Sequence, residues 1–127
     1  MKAILSIKPE FVEKIIKREK IYEFRRKIFK KDVESIIIYA SSPVKAIVGE
    51  IVIDDIINEK IDILWELTKN GAGITKNFFY EYFSNVEKGY AIKIKRFNIY
   101  ENYLSIRDFG ILYPPQSYAY VKGVCYE

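Results

Sequence analysis

Between Glu19 and Arg26 the chain reads EKIYEFRR, which sets a carboxylate and two guanidinium groups among residues suited to a β-strand. Ile21, Tyr22 and Phe24 favour a pleated, half-buried segment. Glu23 and Arg25 stand two residues apart, so a strand puts both on one face. Lys20 precedes them and Arg26 follows. An acid and a base placed side by side are either a pair that props up the fold or the lining of a ligand cleft. A second carboxylate stands out in VKAIVGEIVIDDII, residues 44 to 57, where Glu50 alternates with Val44, Ala46, Val48 and Val52 on a face otherwise apolar. A buried carboxylate without a partner is costly or shifts its pKa upward, so Glu50 calls for one.

Charge is unevenly spread around the first cluster. The chain has 127 residues with 21 Lys and Arg against 17 Asp and Glu. Residues 14 to 31 hold nine basic side chains and two acidic ones, a local charge of +7 that leaves the remainder at −3. A basic segment on a faintly acidic protein suits a polyanionic partner, although a solvated lysine-rich helix end gives the same pattern.

Absences narrow the chemistry. With no histidine, Ser-His-Asp and Cys-His catalysis and histidine-ligated metals are excluded. The single Cys125 forbids an internal disulfide and a Cys-rich zinc site, and reads as a small buried hydrophobe. No P-loop occurs, and Gly71-Ala72-Gly73 reads as a helix terminator rather than a dinucleotide fingerprint. No metal and no cofactor are therefore expected. MKAILSIKP has too short an apolar run for a signal peptide, and charges interrupt every longer run, so a cytoplasmic protein without a membrane segment is expected. Nothing in the pattern fixes an oligomeric state.

Half the residues are apolar, enough for one domain over residues 1 to 127 with one core. Residues 2 to 7 predict a strand. Pro9 suits the first turn of a helix whose Phe11, Val12, Ile15 and Ile16 make one apolar face. The strand at 20 to 26 is expected beside the strand at 44 to 54. VESIIIYA predicts a strand broken by Ser41-Ser42-Pro43. Asp62 is placed to cap a helix running through Asn70, and Thr75 another carrying Phe78, Phe79, Tyr82 and Phe83. KGYAIKIKRFNIY predicts a strand with one wet face, and YPPQSYAYVKGVCYE a Pro-rich loop feeding a closing strand. Several short strands and few helices give an α+β domain built on a small barrel.

Taken together, LSIKPEFVEKI, EKIYEFRR, IYASSPVKAIVGE, LW, GIT and PPQSY resemble the ASCH family of the PUA-like superfamily. The family signature Gly-x-Lys-x-x-Glu-x-Arg falls on Arg18, Lys20, Glu23 and Arg25, with arginine in place of the glycine. The resemblance spans essentially the whole chain. It implies a small PUA-like β-barrel with flanking short helices, and a cleft between barrel and first helix that Lys20, Glu23 and Arg25 border. In such a cleft a carboxylate accepts from an exocyclic amine, while Arg or Lys holds a carbonyl or phosphate oxygen.

Candidate ligand-binding residues are Lys8, Lys20, Glu23, Arg25, Arg26, Ser41, Ser42, Trp65, Gln116, Ser117 and Tyr118. Trp65, Tyr113 and Tyr118 fall near segments that can border the cleft and stack a base, while the serines and Gln116 lie in loops and can bond a ligand or cap backbone. Candidates for catalysis are Lys20, Glu23 and Glu50, either carboxylate serving as general base on water while Lys20 polarises a carbonyl. The resemblance implies an RNA- or modified-nucleobase-binding domain with RNA or a nucleoside as ligand. An alternative is a hydrolase of the ASCH type, either an N4-acylcytidine amidohydrolase or a ribonuclease. The amidohydrolases of the family use Lys-x-x-Thr, and here Glu23 stands at the threonine position. A protein-interaction module in transcription or RNA processing is the second alternative.

Overall fold

The computed structural model describes residues 1–121, and Cys125 lies outside the described residues. Among the described residues six strands form one mixed sheet in the order β2-β5-β4-β3-β1-β6. They are β1 (Lys2–Ile7), β2 (Tyr22–Arg25), β3 (Ser35–Ala40), β4 (Ala46–Lys60), β5 (Lys88–Leu104) and β6 (Tyr118–Val121). Three short helices accompany them: α1 (Pro9–Ile16), α2 (Ile61–Thr68) and α3 (Lys76–Tyr82). The α+β class and the flanking short helices follow the expectation.

Alternation along the strands separates three apolar clusters. Ala3, Leu5, Ile36, Ile38 and Ile51 meet Val12 and Ile15 of α1 in one cluster. On the other side of the sheet Ile4, Ile37, Tyr39 and Ile47 pack under Phe109. Tyr22 and Phe24 of β2 join Leu64, Trp65, Phe79 and Phe83 from the helices in the third.

Three local expectations are corrected. β2 lies beside β5, not beside the strand at 44 to 54, with Glu23 opposite Ile92 and Arg25 opposite Tyr90. β4 cannot take it, because its two edges are spent on β3 and β5. Asp62 does not cap α2: β4 runs on to Lys60 and the helix starts at once, leaving Asp62 in the first turn, where it accepts from the Tyr80 hydroxyl at 2.6 Å. Nor does Glu50 share a face with Val48. A register shift opposite Ile38 and Tyr39 turns Val48 and Ile51 toward the same cluster and pairs Glu50 with Ile37 on the opposite face. Thr75 does cap α3, accepting from the Phe78 amide at 3.1 Å.

Among the described residues the sheet is closed by side chains rather than by a sixth ladder. From β2, Arg25 donates to the carbonyl of Ser6 in β1 at 2.9 Å and to that of Ser117, next to β6, at 3.4 Å. Across the same seam Tyr120 accepts from the amides of Lys30 and Lys31 at 2.8 and 3.1 Å.

Candidate functional site

The turn after α1 delivers the first site residue. Lys17 is the helix C-cap, and Arg18 after it adopts a left-handed φ of 63°. The amides of Glu19 and Lys20 then return to the Lys14 carbonyl, at 3.0 and 3.2 Å. The chain reverses and drives Lys20 inward, where it is only 2% exposed. Its ammonium donates to Ala72 O at 2.9 Å and lies 4.8 Å from the Phe24 ring centroid and 5.4 Å from that of Phe11. Gly73 packs directly on the lysine stem, so close that a Cβ there would come within 2.5 Å of Lys20 Cβ. Burial lowers the Lys20 pKa from 10.5 to about 8, against the opposing pull of Glu23.

β2 supplies the next two groups. Because Tyr22 and Phe24 face the helices, Glu23 and Arg25 point to the other side of the strand. Glu23 is 7% exposed, and its Oε2 forms an ion pair with the Arg25 guanidinium at 3.1 Å. Among the described residues Oε1 has no hydrogen-bond partner and Lys20 makes no ion pair with Glu23. Arg25 is committed to the fold: its other bonds go to the Ser6 and Ser117 carbonyls, and its buried Nε has no partner.

These groups border a half-open cleft of about 180 Å³. Phe11 of α1, Phe78 and Tyr82 of α3, and Ile74 form the walls, with Phe24 behind Lys20 and Ser6 to Lys8 along one margin. Phe11 and Phe78 meet edge to face at 5.6 Å. The Tyr82 hydroxyl donates to Phe24 O at 3.2 Å, and burial raises its pKa. A cavity of this size is below that of a drug-sized site and suits one planar ring.

Of the sequence candidates, the cleft gathers Lys8, Lys20, Glu23 and Arg25. Lys8 also lines a shallower depression with Ser41 and Ser42, next to Pro9 and Glu10. Arg26 is turned away and donates to Tyr82 O at 3.0 Å. Trp65 does not border the cleft: it is buried against Phe79 at a centroid distance of 5.0 Å, because its face of α2 packs on β2 and α3. Gln116 is exposed, and Ser117 contributes only its carbonyl, to Arg25. Tyr118 packs edge to face on Phe29 at 6.2 Å, and Tyr113 is 79% exposed.

Glu50 stands in a separate network. It accepts from Ser35 Oγ at 2.6 Å, pairs with Lys2 at 3.0 Å and meets the Tyr100 hydroxyl at 3.4 Å. The Tyr100 pKa is pushed up to about 12 by burial and by this carboxylate. Sequence reasoning missed the walls Phe11, Phe78 and Tyr82 as site residues, reading their helix faces as core. The usable signal was Phe78 beside Phe79: about 100° apart around the helix, one of the two falls at the margin of the apolar stripe, and it is Phe78 that is left exposed.

No protein-family model matches the chain. Over 94 residues, 73% of this chain, it is 31% identical to an ASCH domain-containing ribonuclease of Zymomonas mobilis, and the match spans 64% of that protein's length. The crystal structure of ASCH from Zymomonas mobilis superposes with a TM-score of 0.85 at 26% identity, covering 95% of this chain and 87% of that one. A mutant of the same protein gives a TM-score of 0.85 at 25% identity, over 95% and 90% of the two chains.

Proposed function

The chain is an ASCH domain protein with a PUA-like fold, and on that premise we propose that it is a ribonuclease acting on single-stranded RNA. The cleft seats one nucleobase of the strand. The observation that carries this reading is Lys20 and Glu23, both buried, both facing the cleft, and both with hydrogen-bonding capacity the fold leaves unused. Burying two opposite charges is costly unless their valences are met. A base entering the cleft meets them. The relative's description as a ribonuclease supports the cleaving role over binding alone.

Single-stranded RNA is the form that fits, because only an unpaired base can be turned into so narrow a cleft. Its phosphates stay at the margin, near the exposed Lys8. RNA brings its own nucleophile, the 2′-hydroxyl. The protein's task is to hold the nucleotide so that this oxygen lines up with the neighbouring phosphorus; a 2′,3′-cyclic phosphate forms as the P–O5′ bond breaks, and the proton lost from the 2′-hydroxyl is balanced by the one the departing 5′-oxygen takes up.

A second reading, binding without cleavage, is favoured by Arg25, which spends its guanidinium on two carbonyls and Glu23 instead of facing a phosphate. End-labelled oligoribonucleotides incubated with the protein separate the two. Cleavage is expected in the parent protein, reduced about 10²-fold or more in Lys20→Met and Glu23→Gln. Retained binding with no cleavage by the parent protein would establish the second reading instead.

A further inference from the structure

We propose that the cleft selects guanine, reading a donor-donor-acceptor edge with the Glu23 carboxylate and the Lys20 ammonium. The inference rests on the reading that an RNA base occupies this cleft, and adds which base.

The argument counts the valences the fold leaves open. The Ser6 hydroxyl donates to Pro115 O at 2.8 Å, and the Tyr82 hydroxyl to Phe24 O. Arg25 is spent on Ser6, Ser117 and Glu23. Glu23 keeps Oε1 open, and Oε2 makes only its ion-pair contact with Arg25, so both oxygens are left to accept. Lys20 uses one of its three donors on Ala72 O. The cleft therefore offers a carboxylate that accepts, an ammonium that donates, and apolar walls.

A phosphate cannot be the buried guest, because it would face the Glu23 carboxylate at close range. A neutral planar edge can. Lys20 and Glu23 are too far apart for an ion pair yet close enough to influence each other electrostatically. One ring edge placed between them meets both.

The four bases differ in how much of this they satisfy. Guanine presents N1–H and N2–H side by side for the two carboxylate oxygens, with O6 next to them for the ammonium, three bonds in all. Cytosine brings one amine against two acceptors, N3 and O2, and adenine one amine against one ring nitrogen, so each gives the carboxylate a single donor where guanine gives two. Uracil brings N3–H and O4, likewise a single donor, and turns O2 toward the carboxylate. An unmet acceptor in a buried site is the costly outcome, so the ranking follows from the count.

Calorimetric titration of the parent protein with the four nucleosides and inosine tests this without any variant. Guanosine is expected to bind about tenfold or more tightly than inosine, which lacks only the 2-amino group, since hydrogen bonds to a charged acceptor are the stronger kind. It should also exceed adenosine, cytidine and uridine. Equal affinity for guanosine and inosine, preference for another base, or no binding at millimolar concentration overturns the inference. Glu23→Gln should erase the guanosine–inosine difference, and a variant that keeps it also overturns the inference. The ribonuclease reading fails separately: RNA cut without regard to guanine ends the specificity alone, whereas selective guanosine binding without cutting ends the nuclease role alone.

Discussion

Arg25 donates to the Ser6 carbonyl at 2.9 Å across the edge of the sheet where no backbone ladder joins β2 to β1. The same guanidinium holds Glu23. Removing it opens the seam and leaves a buried carboxylate unpaired, a loss of about 3–5 kcal/mol for such pairs. Arg25→Ala should lower the urea midpoint accordingly. Arg25→Lys should recover only part, because a point charge cannot serve three acceptors in one plane. An alanine variant as stable as the parent would show that the seam holds by packing alone.

Lys20 makes stability depend on pH in a fixed direction. Its folded pKa of about 8 lies below the unfolded 10.5, so burying the charged form costs stability at every pH below about 8. Between the two values the unfolded state binds more protons, and stability rises with pH by up to about 3 kcal/mol. Urea unfolding of the parent protein minus Lys20→Met, followed from pH 7 to about 10, should show this rise. Guanosine affinity should move the other way, falling above about pH 8 as the ammonium is lost. A flat difference curve would mean that Lys20 is hydrated in solution.

Arg18 occupies a backbone position suited to glycine, with φ at 63° and its side chain exposed. Arg18→Gly should raise stability by up to ~1 kcal/mol, the strain of the left-handed region less the entropy glycine adds to the unfolded chain. Gly73→Ala should do the reverse and more. Its φ is 67° and its new methyl meets the Lys20 stem, so guanosine affinity should fall together with stability. Gly110→Ala supplies the control, having a similar φ of 76° but open space around it, and should cost stability by ~1 kcal/mol without touching affinity.

The loop carrying Lys27, Lys30 and Lys31 is pinned beside β6 by Tyr120, with Lys31 lying 5.0 Å from the tyrosine ring centroid. All three lysines are exposed. If RNA phosphates follow this seam, changing all three to Ser should flatten the slope of log affinity against log salt by about 0.7 for each phosphate no longer neutralised. Binding of a short RNA between about 50 and 200 mM salt measures it. An unchanged slope would assign the loop to solvent.

Strand positions and the charged cluster were legible because they rest on local rules. Alternation placed Tyr22 and Phe24 opposite Glu23 and Arg25, and the structure keeps that division. Strand partners were not legible, since β2 contacts a strand some seventy residues away and nothing within YEFR names it. The face of Glu50 was lost to a single bulged residue, which reverses the sense of every side chain beyond it. Trp65 stood as a cleft candidate by its place in the chain while the aromatic content pointed to core, and the docking of α2 on β2 and α3 makes its ring core. The glycine missing at Arg18 looked like a departure from pattern, yet the turn keeps the conformation a glycine would favour.

Synthesis runs from β1 to β6, but these two strands are neighbours, with Lys2 opposite Val121. A growing chain can pair β1 with β3 early, and must then wait for the last strand before the edge of β1 is covered. Arg25 waits with it, because one of its acceptors, the Ser117 carbonyl, lies 92 residues further on. The Arg25 side of the cleft is thus among the last parts of the molecule to mature. Until then the nascent chain shows a strand edge able to recruit a second nascent chain, so slowed elongation just before β6 should be the moment of greatest exposure to aggregation.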